Sequence, residues 1–140
     1  MRLRTGRRRR SGVGLSLIHI FLDSPLCARI RAAERVLRER RFDLLFSKED
    51  FAAAGFGDCF AGMDAKDSIL LQGVIDCAFL ERGRFTVLDF KTDAKDPEAL
   101  AERYRPQLRL YARAVELMTG IPCGECLLYS FHSGREIVVE

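Results

Sequence analysis

The sequence predicts an α/β fold: a central mixed sheet of about five strands flanked by helices, in the order α-β-β-β-α-β-β. Three observations predict it. Residues 69–80 and 85–92 are extended-type runs that are apolar on both faces, as expected of strands inside a helix-covered sheet. Residues 97–119 carry Leu100, Tyr104, Leu108, Tyr111, Val115 and Met118 at steps of three and four, the period of a helix. The 140 residues suffice for one domain with its own core, and they contain no repeat and no apolar run long enough to span a bilayer.

The elements follow in chain order. Residues 1–10 hold six arginines and no acid, which has the composition of a basic arm for phosphate backbones. The following string Leu15-Ser16-Leu17-Ile18-His19-Ile20 resembles the in-frame translation of a transposon-end adapter. Residues 1–21 are therefore read as a non-native leader and set apart, leaving 22–140 as an N-terminally truncated domain. Ser24-Pro25 starts a helix, with Leu26, Ile30, Ala33 and Leu37 at helical spacing to about Arg40. Residues 42–47 read as a short strand, and residues 51–66, rich in Gly, Ala and Asp, as a loop. The hairpin 69–80/85–92 comes next. In the helix after it, Pro106 is expected to cause a kink or a division into two pieces. Gly120 suits the position just past the helix end, and Pro122 prevents continuation. Residues 125–131 alternate, with Cys126, Leu128 and Ser130 facing one way, and His132-Ser133-Gly134 turns into a last strand at 137–139.

The formal net charge of +3 misleads, because without residues 1–10 the chain holds 17 basic and 20 acidic side chains. Any grip on nucleic acid must therefore be local. The five cysteines form no regular secreted framework, and three lie in apolar patterning, which suits a reducing cytoplasm. Only Cys123-Gly124-Glu125-Cys126 has ligand spacing. No second pair follows, so no iron–sulfur cluster is expected.

The chemistry concentrates on the hairpin. Folding it about Arg82-Gly83 sets Glu81 against Arg84, Ala78 against Val87, Asp76 against Asp89 and Val74 against Lys91. Directly opposed residues share a face with Cβ atoms about 5 Å apart, and alternation puts Lys91 beside Asp89. Ile75, Cys77, Phe79, Leu88 and Phe90 are expected on one side, and Val74, Ala78, Leu80, Phe85 and Val87 on the other. Two opposed carboxylates repel unless a positive group lies between them, and a divalent cation is the usual remedy. Two acids and a lysine in apolar strands suit metal-assisted phosphodiester hydrolysis.

The motifs Gly73-Val74-Ile75-Asp76, Leu88-Asp89-Phe90-Lys91-Thr92-Asp93, Tyr104-Arg105-Pro106-Gln107 with Tyr111, and Leu128-Tyr129-Ser130-Phe131 resemble the nuclease domain of the RecB family in the PD-(D/E)xK superfamily. Within it they are most similar to the C-terminal end of AddA-type helicase–nuclease proteins. The resemblance implies a restriction-endonuclease-like core and Mg²⁺-dependent, exonuclease-type DNA hydrolysis, with Mn²⁺ an alternative ion. Asp76, Asp89 and the main-chain carbonyl of Phe90 would hold the metal, and Lys91 would serve the attacking water and the charge on the phosphate. Gln107, Tyr111, Glu39 and Thr92 would support the site or touch DNA. The implied partners are DNA and a second, AddB-like subunit, acting in double-strand-break repair. ATP would belong to a helicase part, since no GxxxxGK[ST] loop is present. The family's upstream histidine ligand has no counterpart between Leu22 and Lys91, and His19 lies in the segment set apart. Two other readings stand beside this one: a non-catalytic DNA-binding remnant, and a stand-alone iron–sulfur nuclease of the CRISPR-associated kind using Cys123 and Cys126. Asp93 is read as a turn residue, His132 as exposed, and Arg103, Arg105, Arg109 and Arg113 as a solvated face.

Overall fold

The computed structural model describes residues 13–140; the basic run at 1–10 lies outside the described residues. Five strands form one sheet in spatial order: β1 (Arg35–Ser47), β2 (Ser68–Glu81), β3 (Arg84–Lys91), β4 (Cys123–Ser130) and β5 (Arg135–Val138). β3 and β4 run parallel, as a long crossover requires, and the other neighbouring pairs are antiparallel. The crossover is helix α4 (Pro97–Thr119). The sheet is thus mixed and five-stranded, as the patterning predicts.

Both faces are buried. On one, Phe46, Ile75, Val87 and Leu128 pack with Leu100 and Leu108 of α4 and with Phe51 of helix α3 (Lys48–Ala54). On the other, Phe79, Leu88, Leu127 and Tyr129 pack with Leu26 and Ile30 of helix α2 (Pro25–Ala32) and with Leu17 and Phe21 of helix α1 (Val13–Leu22). Leu17 and Phe21, within the segment set apart as a leader, therefore carry packing. The Phe21 ring meets Phe90, Tyr129 and Phe131 at centroid distances of 5.2, 4.9 and 6.0 Å. An apolar sheet face needs a cover, and α1 supplies part of it.

Three local expectations are corrected. The helix begun by Ser24, whose hydroxyl accepts from the Cys27 N–H at 3.2 Å, stops at Ala32 rather than about Arg40. Residues 35–41 have helix-forming composition, yet they pair with β2 from Arg35–Leu80 onward, so β1 is 13 residues long. Here pairing against an apolar neighbour overrides helical propensity. Second, the loop expected at 51–66 is helical at its start. Ser47 and Asp50 form a reciprocal capping box, and Gly55, with φ of 99°, ends α3. Third, of the kink or division expected at Pro106, the division does not occur: Pro106 lies inside one 23-residue helix. The helix ends as expected, with Gly120 in the left-handed region.

A fourth correction bears on the site. Cys77, Phe79, Leu88 and Phe90 do share one face, and Ala78, Leu80, Phe85 and Val87 the other, but Ile75 packs with the second group. Val74 is exposed. Strict alternation in β2 therefore slips at Asp76. Directly across, between the pairs Arg38–Cys77 and Arg40–Ile75, Glu39 sits in the left-handed region with φ of 44°. A non-glycine residue held there carries backbone strain, a feature that concentrates at functional sites.

Candidate active site

The β2–β3 hairpin turns through Arg82 and Gly83, with φ of 51° and 76°. Two consecutive positive values match the twist of a two-residue hairpin turn. The expected register follows, from Glu81–Arg84 through Ala78–Val87 to Cys77–Leu88. There the ladder stops. Neither the expected Asp76–Asp89 pair nor the expected Val74–Lys91 pair forms in the ladder, because β2 leaves β3 and continues on β1 alone, pairing Val74 with Arg41.

The end of this ladder creates the site. Instead of a main-chain partner, the Phe90 N–H donates to Asp76 Oδ2 at 3.1 Å. A strand residue directs its N–H and C=O to the same side, so the Phe90 carbonyl faces the same gap. The Lys91 carbonyl points the other way and accepts from the Phe131 N–H at 2.9 Å. Asp76 and Asp89 are 7% and 5% exposed, and Lys91 Nζ lies 2.8 Å from Asp89 Oδ2. Asp76, Asp89 and Lys91 are therefore brought together, with the Phe90 main chain at their edge.

The electrostatics follow from burial and proximity. Burial first, and then the hydrogen-bonded Asp76 carboxylate, push Asp89 up to about 7, and Lys91 offsets them only in part. Burial also opposes ionisation of Asp76, while hydrogen bonds from Asp89 and from the Phe90 N–H favour it, and its carboxyl stays below the usual range. Burial and the neighbouring carboxylate thus oppose ionisation of Asp89, while Asp76 stays the more acidic of the two. Burial disfavours the Lys91 ammonium, but the hydrogen bond and charge of Asp89 outweigh it and raise Lys91 above its ordinary value. Among the described residues, no group of three or more His, Cys, Asp or Glu is arranged to hold a metal ion. The side-chain donor set is two aspartates, a set suited to Mg²⁺, which binds through one or two carboxylates and keeps several waters.

Helix α4 roofs the cluster. Gln107 Nε2 donates to the Tyr111 hydroxyl at 2.8 Å, as their spacing of four allows. Burial raises the Tyr111 phenol, and the nearby Asp89 and Asp76 charges raise it further. Tyr104, to which sequence reasoning assigns no role, has its ring centroid 3.8 Å from Lys91 Nζ, and its hydroxyl donates to Asp93 Oδ2 at 3.2 Å. The spacing holds the signal. Tyr104, Gln107 and Tyr111 stand at i, i+3 and i+7 on one helix face. Asp93, read as a turn residue, is the acceptor that holds Tyr104. Glu39 and Thr92 are exposed and make none of these contacts, and His132 is exposed in its turn. Arg103, Arg109 and Arg113 are exposed as expected, Arg113 pairing with Asp50 at 2.8 Å, whereas Arg105 is half-buried. Burial pushes the Cys123 and Cys126 thiols up to about 12 and about 11.

The glycine of the first motif has a steric reason. A Cβ on Gly73 would come within 2.6 Å of the Phe42 ring on the paired strand. Phe42 in turn meets the Tyr111 ring edge-on at 5.8 Å. Gly73→Ala is therefore expected to lower stability by about 1–3 kcal/mol through overpacking, and to displace Phe42 and Tyr111. Urea denaturation measures the first effect; an unchanged midpoint would contradict the contact.

Comparison with known proteins bears on this geometry. Residues 16–135 match the sequence profile of the PD-(D/E)XK nuclease superfamily. The chain is similar to the A subunit of the ATP-dependent helicase/nuclease of Acetivibrio thermocellus, 36% identical over 133 residues that cover 88% of this chain and 10% of that protein. The protein of the same name from Geobacillus kaustophilus is 37% identical over 133 residues, covering 88% of this chain and 10% of its own length. That from Geobacillus thermodenitrificans is 33% identical over 138 residues, covering 91% of this chain and 11% of its own. The chain thus spans about a tenth of the length of these curated relatives.

Proposed function

Because the chain belongs to the PD-(D/E)XK nuclease superfamily, we propose that its Asp76–Asp89–Lys91 cluster hydrolyses DNA phosphodiester bonds with the help of a divalent cation. The observation that carries the reading is the meeting of two buried aspartates and a lysine where the β2–β3 ladder ends, with a lysine–aspartate distance of 2.8 Å. Two buried carboxylates side by side favour positive charge between them, and a hard dication fits the oxygen donors there.

Asp76, Asp89 and the Phe90 carbonyl would hold the ion, Mg²⁺ or Mn²⁺. When bound, it supplies charge to the phosphoryl oxygens and acidifies water. The chain's own residues do the rest. The Phe90 N–H fixes the Asp76 carboxylate toward the gap. Asp89 holds the Lys91 ammonium beside the reacting phosphate, where its charge offsets the negative charge that builds in the transition state. The Gln107–Tyr111 pair braces the roof, and Glu39 and Thr92 stand at the exposed margin, where DNA would pass.

The relatives' name supports a place in a helicase–nuclease; exonucleolytic trimming of DNA ends in the bacterial cytoplasm during recombinational repair, beside an AddB-like subunit, is the role we propose for it. Among the described residues, no helix is long and apolar enough to cross a membrane. ATP would serve the motor portion of such a protein. The test is cleavage of linear duplex and single-stranded DNA by the purified chain with Mg²⁺, Mn²⁺ or EDTA. Cation-dependent hydrolysis is expected. A chain that neither cuts DNA nor gains thermal stability on Mn²⁺ titration overturns the reading.

A further inference from the structure

We propose that Tyr104 is the positioning residue of Lys91: its ring forms the platform on which the ammonium rests, and its bond to Asp93 sets the platform's height. This inference rests on the nuclease reading and deepens it. A lysine on four rotatable bonds is a loose catalytic group, and a single ion pair leaves its ammonium free to swing about the carboxylate. Here the ammonium is held from two directions. Asp89 Oδ2 lies at 2.8 Å and the Tyr104 ring centroid at 3.8 Å, well within the reach of cation–π attraction.

The platform is itself anchored at both ends. Its backbone belongs to α4, and its hydroxyl donates to Asp93 Oδ2 at 3.2 Å, two residues beyond Lys91 in the chain. Asp93 leaves β3 immediately after the lysine, so the loop that follows the strand closes back over the helix. Asp89, Lys91, Tyr104 and Asp93 thus form one continuous chain of contacts from strand to helix and back. Remove the ring, and Lys91 keeps its partner but loses its direction.

The work divides between ring and hydroxyl, and substitutions separate them. Tyr104→Phe keeps the ring but cuts its tie to Asp93, and is expected to lose about 3- to 10-fold in kcat, the worth of one hydrogen bond. Tyr104→Leu removes it and is expected to lose about 100-fold in kcat with little change in KM, as a misplaced catalytic group does. A thermal melt of each variant establishes that the comparison is made on folded protein.

A second readout needs no activity. In the wild-type chain without cation, ring current from Tyr104 should move the Lys91 ε-methylene proton resonances upfield. The shift should persist in Tyr104→Phe and vanish in Tyr104→Leu. Unshifted Lys91 resonances in the wild type overturn the inference outright, as does a folded Tyr104→Leu variant of normal kcat when Lys91→Ala is inactive. Equal loss in the Phe and Leu variants overturns the assignment to the ring. Full cleavage by Lys91→Ala sinks the nuclease reading itself, a different outcome from any of these.

Discussion

Lys91→Ala is expected to lower cation-dependent DNA cleavage by about 10²–10³-fold, the loss seen when one preorganised charge or donor is removed from a developing oxyanion. The same change should leave the chain folded. Stripping one partner from a buried ion pair ordinarily costs about 3–5 kcal/mol, because the remaining charge has no partner. Asp89 escapes that fate. Its carboxyl already stands at about 7 through burial and the neighbouring Asp76, so without Lys91 it takes up a proton and becomes neutral. Activity and stability are therefore predicted to separate, with kcat collapsing while the melting temperature barely moves. Asp89→Asn extends the logic. The amide fills the same space without the charge, so this variant should lose cleavage and yet be as stable as the wild type or more so above neutral pH. A Lys91→Ala protein that unfolds and loses activity in parallel would instead make the lysine a structural counterion. Lys91→Arg is not expected to restore activity, because a planar guanidinium cannot occupy the slot between Asp89 and the Tyr104 ring as a compact ammonium does.

Much of this site is legible in the sequence because a tight hairpin leaves little freedom. Once Arg82-Gly83 is recognised as the turn, register follows by counting, and Asp76 must arrive near Asp89. What counting cannot show is where a ladder ends. Nothing in the residues 73–76 announces that β2 departs from β3 there, or that Asp76 will take the hydrogen bond a main-chain carbonyl would otherwise accept. The slip of faces at Asp76 is of the same kind, since it depends on the left-handed Glu39 of another strand. The misreading of residues 35–40 as helix has a different cause. Arg-Val-Leu-Arg-Glu-Arg is compatible with either state alone, and only the length of β2 decides for a strand. Helix α3 does have a local signature: Ser47, Asp50 and Gly55 stand at the positions of a capping box and a left-handed end, which outweigh the Gly and Ala content that suggests a loop. Tyr104 lies between these cases. Its helix face is readable, but its contact with Lys91 depends on how α4 crosses the strand ends, which no local pattern encodes.

Proton and metal ion compete for the same oxygens, so cation affinity should fall about tenfold for each unit that pH drops below about 7. The sign follows from Asp89. Its carboxyl stands at about 7 in the folded chain against an ordinary 3.8, so between those values the folded state holds a proton that the unfolded state has released. In the absence of metal, this group's contribution to stability is full below about pH 4 and is lost as pH rises through about 7. Asp76 runs opposite, its lowered value contributing stability above the ordinary carboxylate range, and it is ionised in both states across that window. Asp89 therefore governs the interval alone among the two. A dication reverses the trend by taking the proton's place, so the rise in melting temperature on adding Mn²⁺ should be small near pH 5.5 and large near pH 8. Calorimetry in buffers of different ionisation enthalpy should detect a proton released on binding at about pH 6.5. Asp89→Asn should abolish both the released proton and the pH dependence, since an amide has none to give. A stabilisation by Mn²⁺ that is equally large across this range would mean that the ion binds elsewhere. The conclusion would then be that Asp89 holds its proton for structural reasons, and the link between the buried pairing of the two aspartates and the reaction would be broken at its first step.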